Sequence, residues 1–503
     1  MSKNYDVVIV GAGNAALTAA IAAKENGASV LVLEKATKEM RGGNTRFSGG
    51  IFRCAYNGID DLVEVVDDKH LKDQVTSAPY TEDDFTSDIQ RTAGGRADEE
   101  LTETLVSRSY DTVLWMSKLG IPWEFNRAVG TVQTDDKKTV LPFGAAVRTI
   151  HEGVGLSQSL FDISERAGVD IVYEIEAKRL TTSEDGTISG VEVRTPDGWE
   201  HITSKAVILA SGGFQASPEM RTAYLGPDWS LVKVRGTRYN TGEMIRAAMD
   251  IGAQPYGEFS GKHATPINAE APDYGDLALT DKTNRLSYHY GIMINLDGKR
   301  FVDEGEDFNT YTYAKFGEQI LKQKNAIAFQ LFDRKSFDLL EPRYSTSDPI
   351  EGDTIDEIAE QLKSKYQLMG FNEEEFMNTV NEYNGAVKEG EFNPTILDGS
   401  TTEELALNKT NWARKITDGP FRVYPVTGGI TFTFGGVRIN TDSKVVDSLD
   451  RPIPGLFSTG EMTGGFFYQN YPLGSGLTRG AVFGKLSGEN AASFARERSK
   501  VQS

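Results

Sequence analysis

Cysteine is nearly missing from this chain: Cys54 is the only one in 503 residues. A single thiol closes no intrachain disulfide and builds no thiolate-rich metal site, a usage that suits a reducing cytoplasm. Basic charge is in deficit too, with 53 Lys and Arg against 73 Asp and Glu and a formal net charge of −20. Nucleic acid and anionic membrane surfaces require a basic face, so neither is an expected partner. That balance leaves room for an anionic small molecule in a locally basic pocket. No apolar run is long enough to span a bilayer, and the N-terminus lacks the charged-then-apolar layout of a signal peptide. The expectation is a cytoplasmic protein with no membrane insertion. Five histidines occur, none at metal-ligand spacing, so no metal is expected. With 39% hydrophobic and 25% charged residues the composition is that of an ordinary globular protein.

What the chain has is glycine, placed at both ends. Tyr5 to Val10 is a continuous apolar run that meets Gly11-Ala12-Gly13-Asn14-Ala15-Ala16. A helical pattern follows to about Asn26, and Ser29 to Leu33 reads as a second strand ending at Glu34-Lys35. This is the strand–turn–helix–strand unit that holds a dinucleotide. Its glycines permit the tight turn and the close approach of backbone to pyrophosphate, Ala16 permits close helix packing, and Glu34 is placed to accept from a ribose. A second glycine loop, Gly42-Gly43-Asn44-Thr45 through Ser48-Gly49-Gly50, offers N–H groups and hydroxyls to a ligand. NAD has no need of such a loop here, whereas the longer FAD does. Because the loop holds no histidine, the flavin is expected to be noncovalent.

Residues 60–140 read as mostly helical. Val172–Glu176, Ser189–Thr195 and His201–Ala206 then read as a small antiparallel meander broken by Asp-Gly turns. The buried run that follows ends at Ser211-Gly212-Gly213, and Asn240-Thr241-Gly242 opens another helix, so both return the chain to the cofactor. Past residue 265 the character changes, and residues 266–421 form a candidate inserted domain. At the far end Gly460-Glu461, then Tyr471-Pro472-Leu473-Gly474-Ser475-Gly476-Leu477, open a helix to Ala492. A glycine turn at a helix start aims N–H groups and a positive dipole end at something electron-rich.

Together, Val8-Ile9-Val10-Gly11-Ala12-Gly13 with Glu34, Gly42-Gly43-Asn44, Gly298-Lys299-Arg300-Phe301-Val302-Asp303-Glu304 and Gly460-Glu461 with Gly464-Gly465 resemble the fumarate reductase and succinate dehydrogenase flavoproteins. Asp303-Glu304-Gly305 with Tyr311 to Lys315, and Gly429 to Gly436, are similar to the tricarballylate dehydrogenase branch. The resemblance implies an α/β fold: a Rossmann-type FAD-binding domain with an antiparallel meander, residues 1–265 and 422–503, interrupted by an α+β cap over residues 266–421. The departures matter as much. Where fumarate reductases carry an arginine proton donor this chain has Phe308, their His-His pair is Thr431-Phe432, and their second substrate arginine is replaced at Tyr471-Pro472. Tyr471-Pro472-Leu473-Gly474-Ser475-Gly476 instead resembles the Tyr-Pro turn of 3-ketosteroid dehydrogenases, in which a tyrosine and a backbone N–H hold a ketone oxygen. By that resemblance Tyr471 and the Ser475 amide would stabilise an enolate. Tyr311, with Tyr313 as the alternative, would take the α proton, both in a loop after Phe308. Phe308, Thr431, Thr433, Phe467 and Tyr468 would meet the substrate.

The expected activity is therefore FAD-dependent introduction of an α,β double bond beside a carbonyl, on a small cyclic ketone or keto acid, with an unidentified electron acceptor. One alternative is a tricarballylate-type polycarboxylate dehydrogenase, which expects arginines such as Arg53 and Arg148 to face the flavin, with Arg53, Arg148 and Arg479 as the candidate carboxylate receptors. Another is a flavin-binding partner without turnover. His151, His263 and His289 are expected to be structural, with satisfied hydrogen bonds.

Overall fold

The computed structural model describes residues 4–127, 132–133, 139–141, 144–388 and 390–502. Strand β1 (Tyr5–Val10), helix α1 (Asn14–Glu25) and strand β2 (Val30–Leu33) form the expected opening unit. β1 lies between parallel neighbours, with Val8 opposite Leu31 on one side and Val207 on the other. A strand covered on both faces can be continuously apolar, which is why neither β1 nor β2 alternates. The expected helical region ends sooner than its reading: α2 (Glu99–Leu119) gives way to short strands at Trp123–Phe125 and Val147–Thr149, rich in aromatic and β-branched residues.

The meander is present with one shift. Val172–Glu176 is not a strand but the junction between β3 (Asp170–Val172), parallel to β2, and β4 (Glu176–Thr182). Glu174 takes a left-handed φ of 59°, which ends the extended run. β5 (Ile188–Thr195) pairs antiparallel with the first half of β6 (Gly198–Leu209), while the second half of β6 pairs parallel with β1. One long strand thus belongs to both layers and carries Ser211-Gly212 to the edge of β1.

A second sheet draws strands from both sides of the positions at which the composition changes. It contains β7 (Lys262–Asn268), β8 (Ile292–Asn295), β9 (Ala328–Phe332) and the long β10 (Phe421–Thr433). Helix α3 (Asn309–Leu321) lies on it so closely that a Cβ on Gly317 would stand 2.4 Å from the Ala264 carbonyl carbon, and one on Gly428 2.3 Å from the Gly317 oxygen. Strand β11 (Pro452–Ser458) then rejoins β6 in parallel, and α4 (Ser475–Gln502) crosses back over α1.

The α1–α4 contact is made of small residues at every fourth position. A Cβ on Gly484 would stand 2.7 Å from the Ala15 oxygen and one on Gly488 2.2 Å from the Ala19 oxygen, so the backbones touch. Asn14 Nδ2 donates to the Leu477 oxygen at 2.8 Å, joining residues 463 apart. Among the described residues no helix is long and apolar enough to cross a membrane. Gly488→Ala is expected to destabilise the protein by about 1–3 kcal/mol in denaturant unfolding. Gly385→Ala, in the last turn of the helix Glu373–Ala386 with open space around it, should instead gain up to about 1 kcal/mol. Equal effects at the two positions would refute the close-contact account.

Candidate active site

One cleft of about 1630 Å³, its open mouth included, runs from the end of β1 to the Tyr471 turn. At one end the glycine turn is set by sterics. Gly11 has φ 104°, and a Cβ there would come within 2.4 Å of the Ala210 oxygen, so only glycine passes between β1 and β6. Gly13 caps α1 without a side-chain hydrogen bond, and the Asn14 N–H goes to Thr45 Oγ1 at 2.7 Å. The N–H groups of Ala15 and Ala16 find no acceptor among the described residues. Glu34 follows, buried, receiving backbone N–H bonds from Ala12, Lys35 and Ala36; burial still pushes its carboxyl up to about 7. Lys35 reaches Glu243 at 2.8 Å and Glu176 at 3.0 Å. A free helix start for a pyrophosphate and an acidic acceptor for a ribose are what an adenine dinucleotide needs.

The cleft continues past that end. Asn44 pins the second glycine loop, donating to the Thr431 oxygen at 2.6 Å and accepting from the Thr237 N–H at 2.9 Å. Glu461 accepts from the Thr433 N–H at 3.0 Å, and burial pushes its carboxyl also up to about 7.

At the far end aromatic rings close around a small set of polar groups. Tyr471 packs edge-on to Phe432 at 5.2 Å and to Phe467 at 5.1 Å. His263 meets Tyr313 at 4.8 Å and Tyr471 at 5.2 Å. The Tyr313 and Tyr471 rings lie beside each other, their centroids 6.2 Å apart. Tyr313 and Tyr471 are each 6% exposed and His263 2%. The Tyr471 oxygen accepts from the Gly474 N–H at 2.9 Å, which leaves its proton free to donate. Burial holds the Tyr313 phenol well above 10, Tyr471 adds to the rise, and Arg235 and Arg53 oppose it. Burial, with the Arg235 charge, holds His263 well below its ordinary range, so its imidazole is neutral.

The structure brings to the cleft wall Gly11, Gly13, Asn14, Ala15, Glu34, Lys35, Gly43, Asn44, Thr45, Ser48, Gly49, Ser211, Gly212, Asn240, Gly460, Glu461, Gly476 and Leu477, with Thr431, Tyr313 and Tyr471. Ala16, Gly42, Gly50, Gly213, Thr241 and Gly242 stand behind it. Ser475 is a correction. Its N–H is turned to the Pro472 oxygen at 3.2 Å and its buried Oγ has no partner, while Gly476 faces the Tyr471 hydroxyl.

Tyr311 is another correction. The segment after Phe308 is helix α3, not a loop, and two residues along a helix turn a side chain by roughly 200°. Tyr313 shares the face of Gly317 and enters the cleft; Tyr311 points away and donates to Asp88 at 2.8 Å. It joins a buried group in which Arg53 bonds Tyr80, Asp88 and, through Nε at 2.8 Å, the Leu473 oxygen. Arg53 thereby braces the Tyr471 turn from behind, and Arg148 pairs with Glu124, so neither faces the cleft. Of the residues expected to meet substrate, only Thr431 lines the wall. Phe308 packs on Trp412, Thr433 serves Glu461, Phe467 underlies Tyr471, and Tyr468 lies outside.

Arg235, Asp281, Asn284 and Arg343, none of them expected from the sequence, also line the wall, as does His263, whose Nδ1 is buried without a partner among the described residues. The available signal was Arg235-Gly236-Thr237 running into the recognised Asn240 turn.

The profile of the FAD binding domain matches residues 6–477. The chain belongs to that family. FAD is its cofactor, and it is a flavin-dependent oxidoreductase. Over 98% of its length it is 27% identical to the cytochrome-type fumarate reductase of Shewanella frigidimarina, covering 78% of that protein. It is 25% identical, over 97% of this chain and 93% of the relative, to the 4-oxocyclohexanecarboxylate 2-dehydrogenase of Sinomonas cyclohexanicum. The open conformation of a flavocytochrome c3 fumarate reductase superposes with a TM-score of 0.73 at 26% identity, covering 98% of this chain and 79% of that one.

Glu34 and Glu461 each move from 4.5 to about 7 on folding. Between those values the folded apoprotein binds more protons than the unfolded chain, so its stability should fall as pH rises through that window. Glu461→Gln should flatten part of the fall in apoprotein Tm, and Glu34→Gln another part; an undiminished slope in the double variant would show that these carboxyls titrate normally.

Proposed function

We propose that this protein is an FAD-dependent dehydrogenase acting on CH–CH groups, introducing an α,β double bond beside the carbonyl of a small cyclic ketone or keto acid. The observation that supports it is the adjacent pair of buried tyrosines at the cleft's inner end, Tyr313 on α3 and Tyr471 on the turn into α4. Gly11–Ala15, Glu34, Asn44–Thr45 and Glu461 would hold FAD, which would supply the hydride acceptor.

The protein's own part is the proton and the oxygen. Tyr471 has its lone pair occupied by the Gly474 N–H, so its proton goes to the substrate carbonyl. The first-turn amide of Gly476, beside the Tyr471 hydroxyl and without an acceptor among the described residues, is the second donor. Both sit at the positive end of a 28-residue helix, where developing enolate charge is stabilised. Tyr313 takes the α proton as its phenolate, which Arg235 and Arg53 favour. The aromatic walls exclude water and fit a compact ring. Of the arginines that the polycarboxylate alternative could use as anchors, Arg53 and Arg148 lie outside the cleft, and Arg479 lines it beside the aromatic rings.

Anaerobic addition of 4-oxocyclohexanecarboxylate or cyclohexanone should bleach the yellow holoenzyme, and succinate and tricarballylate should not. Bleaching by tricarballylate alone would sink the ketone reading. Tyr471→Phe is expected to cost about 2–4 kcal/mol of transition-state stabilisation with FAD retained. A base held well above 10 is mostly protonated at neutral pH, so kcat/KM should climb from about pH 7 to about pH 10. Tyr313→Phe should abolish that limb and Tyr471→Phe should keep it; a flat profile in the parent enzyme would remove Tyr313 as base.

A further inference from the structure

Three arginines line the cleft, and their partners set them apart. Arg343 is matched by Asp281 at 2.7 Å and Glu341 at 3.4 Å. Arg479 lies over the Phe467 ring at 4.9 Å, donates to the Thr463 oxygen at 3.4 Å, and has Glu461 as its carboxylate neighbour. Arg235 is different. Its Nε donates to Thr431 Oγ1 and its Nη1 to the Phe47 oxygen, both at 3.0 Å, and both acceptors are uncharged. Among the described residues no carboxylate comes within ion-pair distance of it. Asp281 is the carboxylate that acts on it most strongly, yet that carboxylate is already bonded to Arg343.

The two bonds that Arg235 makes come from opposite walls, one from β10 and one from the second glycine loop, so they aim the guanidinium rather than neutralise it. Of its five donors, Nε–H and one N–H of Nη1 are used, so the Nη1–Nη2 edge keeps both N–H groups of Nη2 and one of Nη1 without an acceptor among the described residues. That edge has the spacing that accepts a carboxylate through two parallel bonds. A charge lined up in a closed cleft without a counterion is costly, and an anionic ligand relieves the cost. The position is at the reacting end: Arg235 shares Thr431 with Asn44 and acts electrostatically on both Tyr313 and Tyr471.

We propose that Arg235 is the receptor for a substrate carboxylate, which makes a keto acid, not a neutral ketone, the molecule this cleft selects. The inference rests on the desaturase reading for the carbonyl half of that molecule; the anion site stands without it.

The test is binding to oxidised holoenzyme, followed by perturbation of the flavin absorption bands. The probes are cyclohexanecarboxylate, which has no ketone to oxidise, and its neutral isostere cyclohexanecarboxamide. The parent protein should bind the carboxylate at least about tenfold more tightly than the amide. Arg235→Gln should weaken the carboxylate by about 10- to 100-fold and leave the amide within about threefold. Arg235→Lys, which keeps the charge but not the fork, should fall between. Equal binding of the two probes by the parent protein would overturn the proposal without any variant, as would a parallel loss of both probes in Arg235→Gln with flavin retained. If ketones fail to bleach the flavin while the carboxylate preference persists and disappears with Arg235, the desaturase reading fails and the anion site stands.

Discussion

The contact between the first and last helices is the constraint on which the rest depends. Glycines on α4 let its backbone lie against Ala15 and Ala19 of α1, and Asn14 is bonded to Leu477. Two free helix starts consequently face one cleft from adjacent positions, one for a pyrophosphate and one for the reacting end. Hydrophobic burial alone would tolerate larger residues and a wider spacing there. Backbone contact does not, since a single added methyl group falls inside van der Waals distance.

The second sheet adds what the dinucleotide layer lacks. β10 belongs to that sheet over most of its length, yet its last residues reach the cleft, where Thr431 takes Asn44 and Arg235 and Thr433 takes Glu461. β7 delivers His263 beside Tyr313. The Gly317–Ala264 contact presses α3 onto this pair of strands, and Tyr313, one turn earlier, is set by it. Arg53, buried against Asp88 and Tyr80, holds the Leu473 carbonyl from the other side. The tyrosine pair is thus clamped by the second sheet on one side and by the Arg53 group on the other.

Much of this was legible in the residues. Continuous apolar strands meeting glycine turns announce a parallel sheet and its ligand edge, and Glu34 and Gly11 occupy the places their types imply. The choice between Tyr311 and Tyr313 was not legible, because it turns on where α3 begins; a helix starting after Phe308 puts the two on opposite faces. Ser475 was misread for a related reason: a four-residue offset does not reveal that a 3.2 Å bond to Pro472 has already taken its amide. Arg235 and His263 escaped because an arginine without a counterion and a histidine without a partner are defined by what three-dimensional neighbours fail to supply.

The strand pairing has a consequence for the order in which this protein comes into being. β1 emerges from the ribosome before its partner β6, which ends at Leu209, and the helix that completes the cleft begins only at Ser475. Until α4 has been synthesised, Asn14 has no Leu477 carbonyl to bond, and the wall that would face the flavin ring does not exist. Cofactor capture therefore waits until α4 has followed β1 and β6, and the chain between them must stay soluble without the ligand that finishes it. The large acidic excess, which serves no site described above, suits that long wait.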